Sequence, residues 1–270
     1  MNLTTSQRWG LGLLLALLLF AIISHGLSPY SISQQQLTEK LLAPNAAHWF
    51  GTDHLGRDML TRLASAVGLS LLLSGLCVLT AAILGVTLGL VAAWQGGRAE
   101  QLCEVMVNIL LALPGLVLVL MLAAIAPGSF IALYLAISLV QWVEYYRVTR
   151  AISKPLLASP ELQASQMMGF GRRYLLRRHL WPKLAPSIFT MAAFGGANAI
   201  LMMASLGFVY VGIQPPTAEL GLMAVELFPY YSQAPWVLLQ PLLMIGLLVL
   251  SLQLLAGGTN QQRGAHDHAD

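Results

Sequence analysis

The sequence predicts an all-α membrane protein with six transmembrane helices, and two observations carry that prediction. Charged residues make up 9% of the 270 and hydrophobic residues 57%, whereas an ordinary soluble chain carries about 25% charge. The 14 Lys+Arg and 11 Asp+Glu are also unevenly spread, leaving uncharged stretches long enough to cross about 30 Å of hydrocarbon at about 1.5 Å per residue. Mean hydropathy is +0.72, so a soluble globule is excluded. The net charge of +3 is too small to suggest a nucleic-acid partner.

A charge near the bilayer centre costs about 2.5–3.5 kcal/mol, so the charges bracket the spans. Arg8 and His25 enclose a first, short apolar run. A cleaved signal peptide is the alternative there, but Ser24-His25-Gly26 makes a poor cleavage site. Arg62 and Arg98 enclose one long span, and Glu104 and Glu144 enclose two, divided by Ala126-Pro127-Gly128-Ser129. Lys183 to Glu219 and Glu226 to Arg263 hold one each. The expected helices are roughly 9–24, 65–93, 102–126, 130–149, 186–212 and 236–256 of a single domain, with Pro114 kinking the third. Gly85 and Gly89, with Ala81 and Ala82, and Gly195 with Gly196, suit close helix packing within the subunit.

Orientation follows from the basic residues. With the N-terminus inside, one side collects Arg8, Arg98, Arg147, Arg150, Lys154, Arg172, Arg173, Arg177, Arg178, Lys183 and Arg263, and the other only Lys40, Arg57 and Arg62. Both termini are therefore expected in the cytoplasm, with roughly 25–62 a periplasmic segment and 257–270 a cytoplasmic tail. Cys77 and Cys103 lie in apolar surroundings at no metal-ligand spacing and read as small core hydrophobes.

The segment of roughly 150–183 is long, basic and punctuated. Ser159-Pro160-Glu161 is a helix start, with serine capping, proline at the first position and an acid in the first turn, and Gly169 is its stop. A second helix is expected over Arg172–Leu180, ending at Trp181-Pro182. The short helix is an exposed cytoplasmic element, and the arginines that follow it suit anionic headgroups.

These residues also carry a resemblance. Gln163-Ala164-Ser165, then Gly169 and Pro182, is similar to the EAA loop of bacterial ABC-importer permeases, in which a coupling helix docks on a cytoplasmic ATPase. Gln163 stands where that family has glutamate and Ser165 where it has its second alanine; Glu161 offers a nearby acid. Gly51-Thr52-Asp53-His54-Leu55-Gly56-Arg57-Asp58 resembles the GTDxxGRD motif of the peptide, nickel and opine branch. The run from Gly207 through Gly212 to Pro215-Pro216-Thr217 resembles the same branch's fifth-helix end. Met203 and Leu220 depart from that pattern, as does the tail after the last helix. The resemblance implies the C-type permease subunit of a type I importer. It implies a heterodimer with a second permease, two ATPase subunits that bind ATP and Mg, a periplasmic binding protein, and a bacterial inner-membrane location. Among the branch's substrates the turn looks most like the nickel or metallophore members, with di- or oligopeptides the alternative.

The residues of that turn have a physical rationale of their own. Gly51 and Gly56 admit positive φ, Asp53 and Asp58 accept backbone N–H groups, and Arg57 bridges carboxylates, so a structural staple is preferred to a substrate contact. His48, Asp53 and His54 are the candidate metal ligands, and His266-Asp267-His268 a further metal hint. Glu104 and Glu144 lie near expected cytoplasmic helix ends, where snorkelling or pairing with Arg98 or Arg147 accounts for them. Met202 and Met203 read as core filling. The sequence contains no GxxxxGK[ST] loop and no hydrolase constellation, so no catalytic residue or bound cofactor is expected in this chain.

Overall fold

A computed structural model covers residues 4–266, and the side chains among them except those of His25, Leu27 and 258–266. The described residues form ten α-helices: α1 Thr5–Leu27, α2 Met59–Gln95, α3 Gly97–Leu111, α4 Gly115–Ala123, α5 Phe130–Leu157, α6 Pro160–Met167, α7 Arg172–Leu175, α8 Trp181–Phe208, α9 Leu220–Leu227 and α10 Pro235–His266. Thr52 and Asp58 form an isolated antiparallel bridge. Of the metal-hinting tail, only the His266 backbone is described.

Several helices outrun the bounds expected from charge alone. α1 begins at Thr5 because Thr4 and Gln7 form a capping box, each side chain accepting from the other's backbone N–H. α2 begins at Met59, capped by Asp58, and so takes Arg62 into its first turns. The third expected helix is two helices, α3 and α4, bent by 81° about the break at Pro114. α5 continues to Leu157 with Pro155 inside its last turn. The expected stop at Trp181-Pro182 is absent, because Leu176–Leu180 forms a π turn in which Trp181 N–H donates to Leu176 O. That wider turn takes up the proline's missing donor, and the helix runs unbroken into α8. α8 ends at Phe208, four residues short of Gly212, and α9 was not expected.

Four helical stretches are long and apolar enough to cross a membrane: Thr5–Ser24, Met59–Gln95, Arg172–Phe208 and Pro235–Gly257. The bent pair α3 and α4 makes a fifth if it is one broken span. α5 falls outside this group because its C-terminal half carries Glu144, Arg147, Arg150 and Lys154. Its other faces bury Trp142, Tyr145 and Tyr146 against α2 and α3.

α2 is the central strut. At its N-terminal end Met59, Leu63 and Val67 pack with α1, α9 and α10, and further along Leu73 and Cys77 pack with α4, α5 and α8. At its other end Leu90 and Trp94 support Leu162, Leu175 and Leu180 of the segment that follows α5. Gly85 is a close-approach position: a Cβ there would stand 2.4 Å from Trp142 O. The small-residue seam of α2 is thus used inside the subunit, as expected. Met203 fills core beside Cys77, and both cysteines are free thiols.

Candidate functional site

Two constructions stand at opposite ends of α2. The first is the turn that leads into it. Gly51 and Gly56 have φ of 77° and 73°. A Cβ on Gly56 would lie 1.8 Å from Gln36 O, so glycine is required by space as well as by φ. Thr52 Oγ donates to Glu39 O and accepts from Leu42 N–H, fixing the turn to the preceding chain. Asp58 caps α2 through Oδ2, which accepts from Thr61 N–H at 2.9 Å, while its Oδ1 is 2.9 Å from His48 Nδ1.

Asp53 is the hub. Its Oδ1 accepts from the backbone N–H groups of Leu55 and Arg57, and its Oδ2 from Arg57 Nε at 2.6 Å and Arg62 Nη1 at 2.8 Å. Both guanidinium groups then donate to Glu226 Oε2 on α9, at 3.3 and 3.0 Å. Asp53, Arg57 and Arg62 are no more than 3% exposed and the Glu226 side chain 14%, so two cations and two carboxylates form a largely desolvated cluster. Burial raises the Glu226 carboxyl above the usual range, with the Arg57 charge opposing.

The candidate metal ligands do not converge. His48 has one ring nitrogen on Asp58 and the other 3.2 Å from Glu39, Asp53 is spent on arginines, and His54 stacks on Tyr230 with ring centroids 5.3 Å apart. Among the described residues no group of three or more His, Cys, Asp or Glu could hold a metal ion.

The end of α8 joins this cluster through α9. Val211 and Gly212 N–H both donate to Leu206 O, turning the chain with Tyr210 at φ 56°. Pro215-Pro216 lies in the loop that follows and carries the chain to Glu219. Glu219, 1% exposed, caps α9 by accepting from Gly221 and Leu222 N–H at 2.9 and 2.7 Å. Burial raises this carboxyl too, against the two backbone donors. Gly207 leaves room for it: a Cβ there would meet Glu219 Oε2 at 2.3 Å.

The second construction is α6, held 8 residues long between Ser159 and Gly169. Ser159 has the extended backbone of a cap, but its hydroxyl donates backwards to Leu156 O, so Pro160 and Glu161 mark the start without a side-chain cap. Gly169, at φ 82°, ends it: Gly169 N–H donates to Gln166 O and Phe170 N–H to Ser165 O, the paired bonds of a left-handed helix stop. Leu162 is buried below, and Ser165 turns inward to within 3.2 Å of His179 Nε2. Glu161, Gln163, Ala164 and Met167 face outwards, Met167 being 87% exposed. Pro182 stands apart from α6, exposed on the first turn of α8.

Glu104 and Glu144 part company. Glu104 lies 3.3 Å from Arg150, beside Glu100, which takes both Arg150 and Lys154; the expected partners Arg98 and Arg147 take no part. Glu144 is exposed on α5. Arg62, Glu219 and Glu226 were visible in the sequence only as charges at the edges of spans: Glu226 finds its partners more than 160 positions back, Arg62 pairs with it and with the nearby Asp53, and Glu219 turns to backbone amides.

Residues 85–261 match the family model described as the binding-protein-dependent transport system inner membrane component. The chain is 32% identical to the dipeptide transport system permease protein of Alkalihalophilus pseudofirmus, over 92% of this chain and 82% of that one. It is 34% identical to the probable D,D-dipeptide transport system permease protein of Escherichia coli K12, over 83% and 75%. With the di/tripeptide transport system permease protein of Pseudomonas aeruginosa it shares 35% over 92% and 84%. An all-helical chain with apolar spans, an ion-clamped turn at one end and a short capped helix at the other therefore belongs to the inner-membrane permease family of binding-protein-dependent ABC importers.

Proposed function

We propose that this chain is one of two permease subunits of an ATP-driven importer for di- or oligopeptides. The observation that carries the reading is the match along most of the chain to permeases named for dipeptides. The nickel or metallophore reading preferred from the turn gives way to it. His48 and Asp53, which suggested a metal, are engaged in the ion network that shapes the turn.

Within that reading the two constructions take different roles. The Asp53–Arg57–Arg62–Glu226 cluster braces the periplasmic mouth, where a binding protein would deliver substrate, and α6 is the contact for a cytoplasmic ATPase. The preponderance of Lys and Arg on the α6 side supports this sidedness, with both termini cytoplasmic. ATP and Mg belong to the ATPase subunits. This chain's work is conformational, because nucleotide biases transport only through contacts that differ between outward- and inward-open states.

Calorimetry of the partner binding protein tests the substrate. Binding of dipeptides, with no heat from nickel or nickel chelates, is expected; tight binding of nickel chelates and none of peptides would overturn the peptide reading.

A further inference from the structure

Glu144 and Arg147 are charged, exposed and in the middle of α5. The sequence placed Glu144 near a helix end, where snorkelling suffices. The structure carries the helix on to Leu157, and its next ion-paired charge, Arg150 on Glu100, lies six positions beyond Glu144, about 9 Å along the axis. Neither side chain makes a hydrogen bond or ion pair among the described residues, and the two do not pair with each other. Facing lipid, each would be an unpaired charge in hydrocarbon.

The surroundings say what they face. Val140, Glu144, Arg147 and Ala151 are spaced as one stripe of a helix, i, i+4, i+7 and i+11. α4 covers the end of this stripe nearest the turn: a Cβ on Gly115, its first residue, would stand 3.1 Å from Val140 Cγ1. There the 81° bend turns α3 away, onto the face of Trp142, Val143 and Tyr146. From Glu144 onwards the stripe is uncovered, and its first two side chains carry opposite charges about 4.5 Å apart along the axis.

We propose that Glu144 and Arg147 line the inner half of the translocation pathway and read the two ends of a zwitterionic peptide. Glu144 accepts from the terminal ammonium and Arg147 donates to the terminal carboxylate. This rests on the peptide reading above. Water in the open pathway solvates both charges between turnovers, which removes the cost of lipid exposure. The spacing suits a short peptide, whose chain extends about 3.3–3.6 Å per residue.

The test is uptake by the complete reconstituted importer, with the same binding protein throughout, of a dipeptide, its N-acetyl derivative and its C-terminal amide. Glu144→Gln should narrow the preference for free dipeptide over the N-acetyl form by about tenfold, the worth of one charge-assisted contact. It should leave the preference over the amide unchanged, and Arg147→Gln should do the converse. Glu144→Asp should restore most of the discrimination. Equal loss for all three peptides, or no change, would overturn the proposal, as would loss of the second permease from the purified Glu144→Gln complex, which makes the residue a subunit seam. Failure of the unmodified complex to take up any peptide would instead overturn the peptide reading, and this proposal with it.

Discussion

Arg62 and Glu226 stand 164 positions apart in the chain and meet at 3.0 Å, Nη2 to Oε2. Arg62 belongs to the first turns of α2 and Glu226 to α9, so the contact ties the start of one spanning helix to the element between the last two.

The cluster that contains this pair should fail as a unit. Asp53→Asn leaves Arg57 and Arg62 with one shared carboxylate in a desolvated site, and breaking a buried pair from one side costs about 3–5 kcal/mol. A marked fall in the apparent melting temperature of the purified protein in detergent is expected. Removing a cation as well, in Asp53→Asn/Arg62→Met, should recover part of it, because fewer buried charges are then unpaired.

The left-handed glycines should differ in cost. Gly56→Ala places a Cβ 1.8 Å from a backbone carbonyl, and should abolish folded protein. Gly96 has φ 61° but open space around it, so Gly96→Ala should cost only backbone strain of about 1–3 kcal/mol. Yield of monodisperse protein separates the two.

At α6 the expected defect is in coupling. Gly169 has open space but φ 82°, which a β-branched residue resists, so Gly169→Val should displace Phe170 and lose ATP-driven uptake while yield of the chain is kept. Ala164→Glu, on the exposed face, should do the same without altering the helix. Copurification with the ATPase measures the loss of docking directly.

Glu219 predicts a pH dependence. Its carboxyl is raised by burial, so just above the ordinary carboxylate range the folded chain holds a proton that the unfolded chain has released. Stability from this group is full below the unfolded value and falls as pH rises through the folded one. Melting temperature should therefore decline with rising pH from about 4.5 upwards, and Glu219→Gln should flatten that decline.

The sequence disclosed whatever local chemistry determines. Ser159-Pro160-Glu161 and Gly169 bound α6, and the glycines of the turn carry the positive φ they suggested. Pairing across the chain was hidden. Arg62 looked like the edge of a span, yet Asp53 and Glu226 neutralise it inside the helix, which let α2 start earlier. α9 was missed because its eight residues, apolar but for Glu226, are too few to show a period, and its cap is a glutamate folded back on its own amides. Pro182 read as a stop because the π turn that accommodates it has no local sequence mark.

The unbroken run from Arg172 to Phe208 has a mechanical meaning. At 37 residues it is a connecting rod of about 55 Å, rooted beside α6 and ending where Gly207 receives the Glu219 carboxylate. The wide turn at Leu176–Leu180 and Pro186 both lie near its root, so beyond them the rod reaches Phe208 as uninterrupted helix.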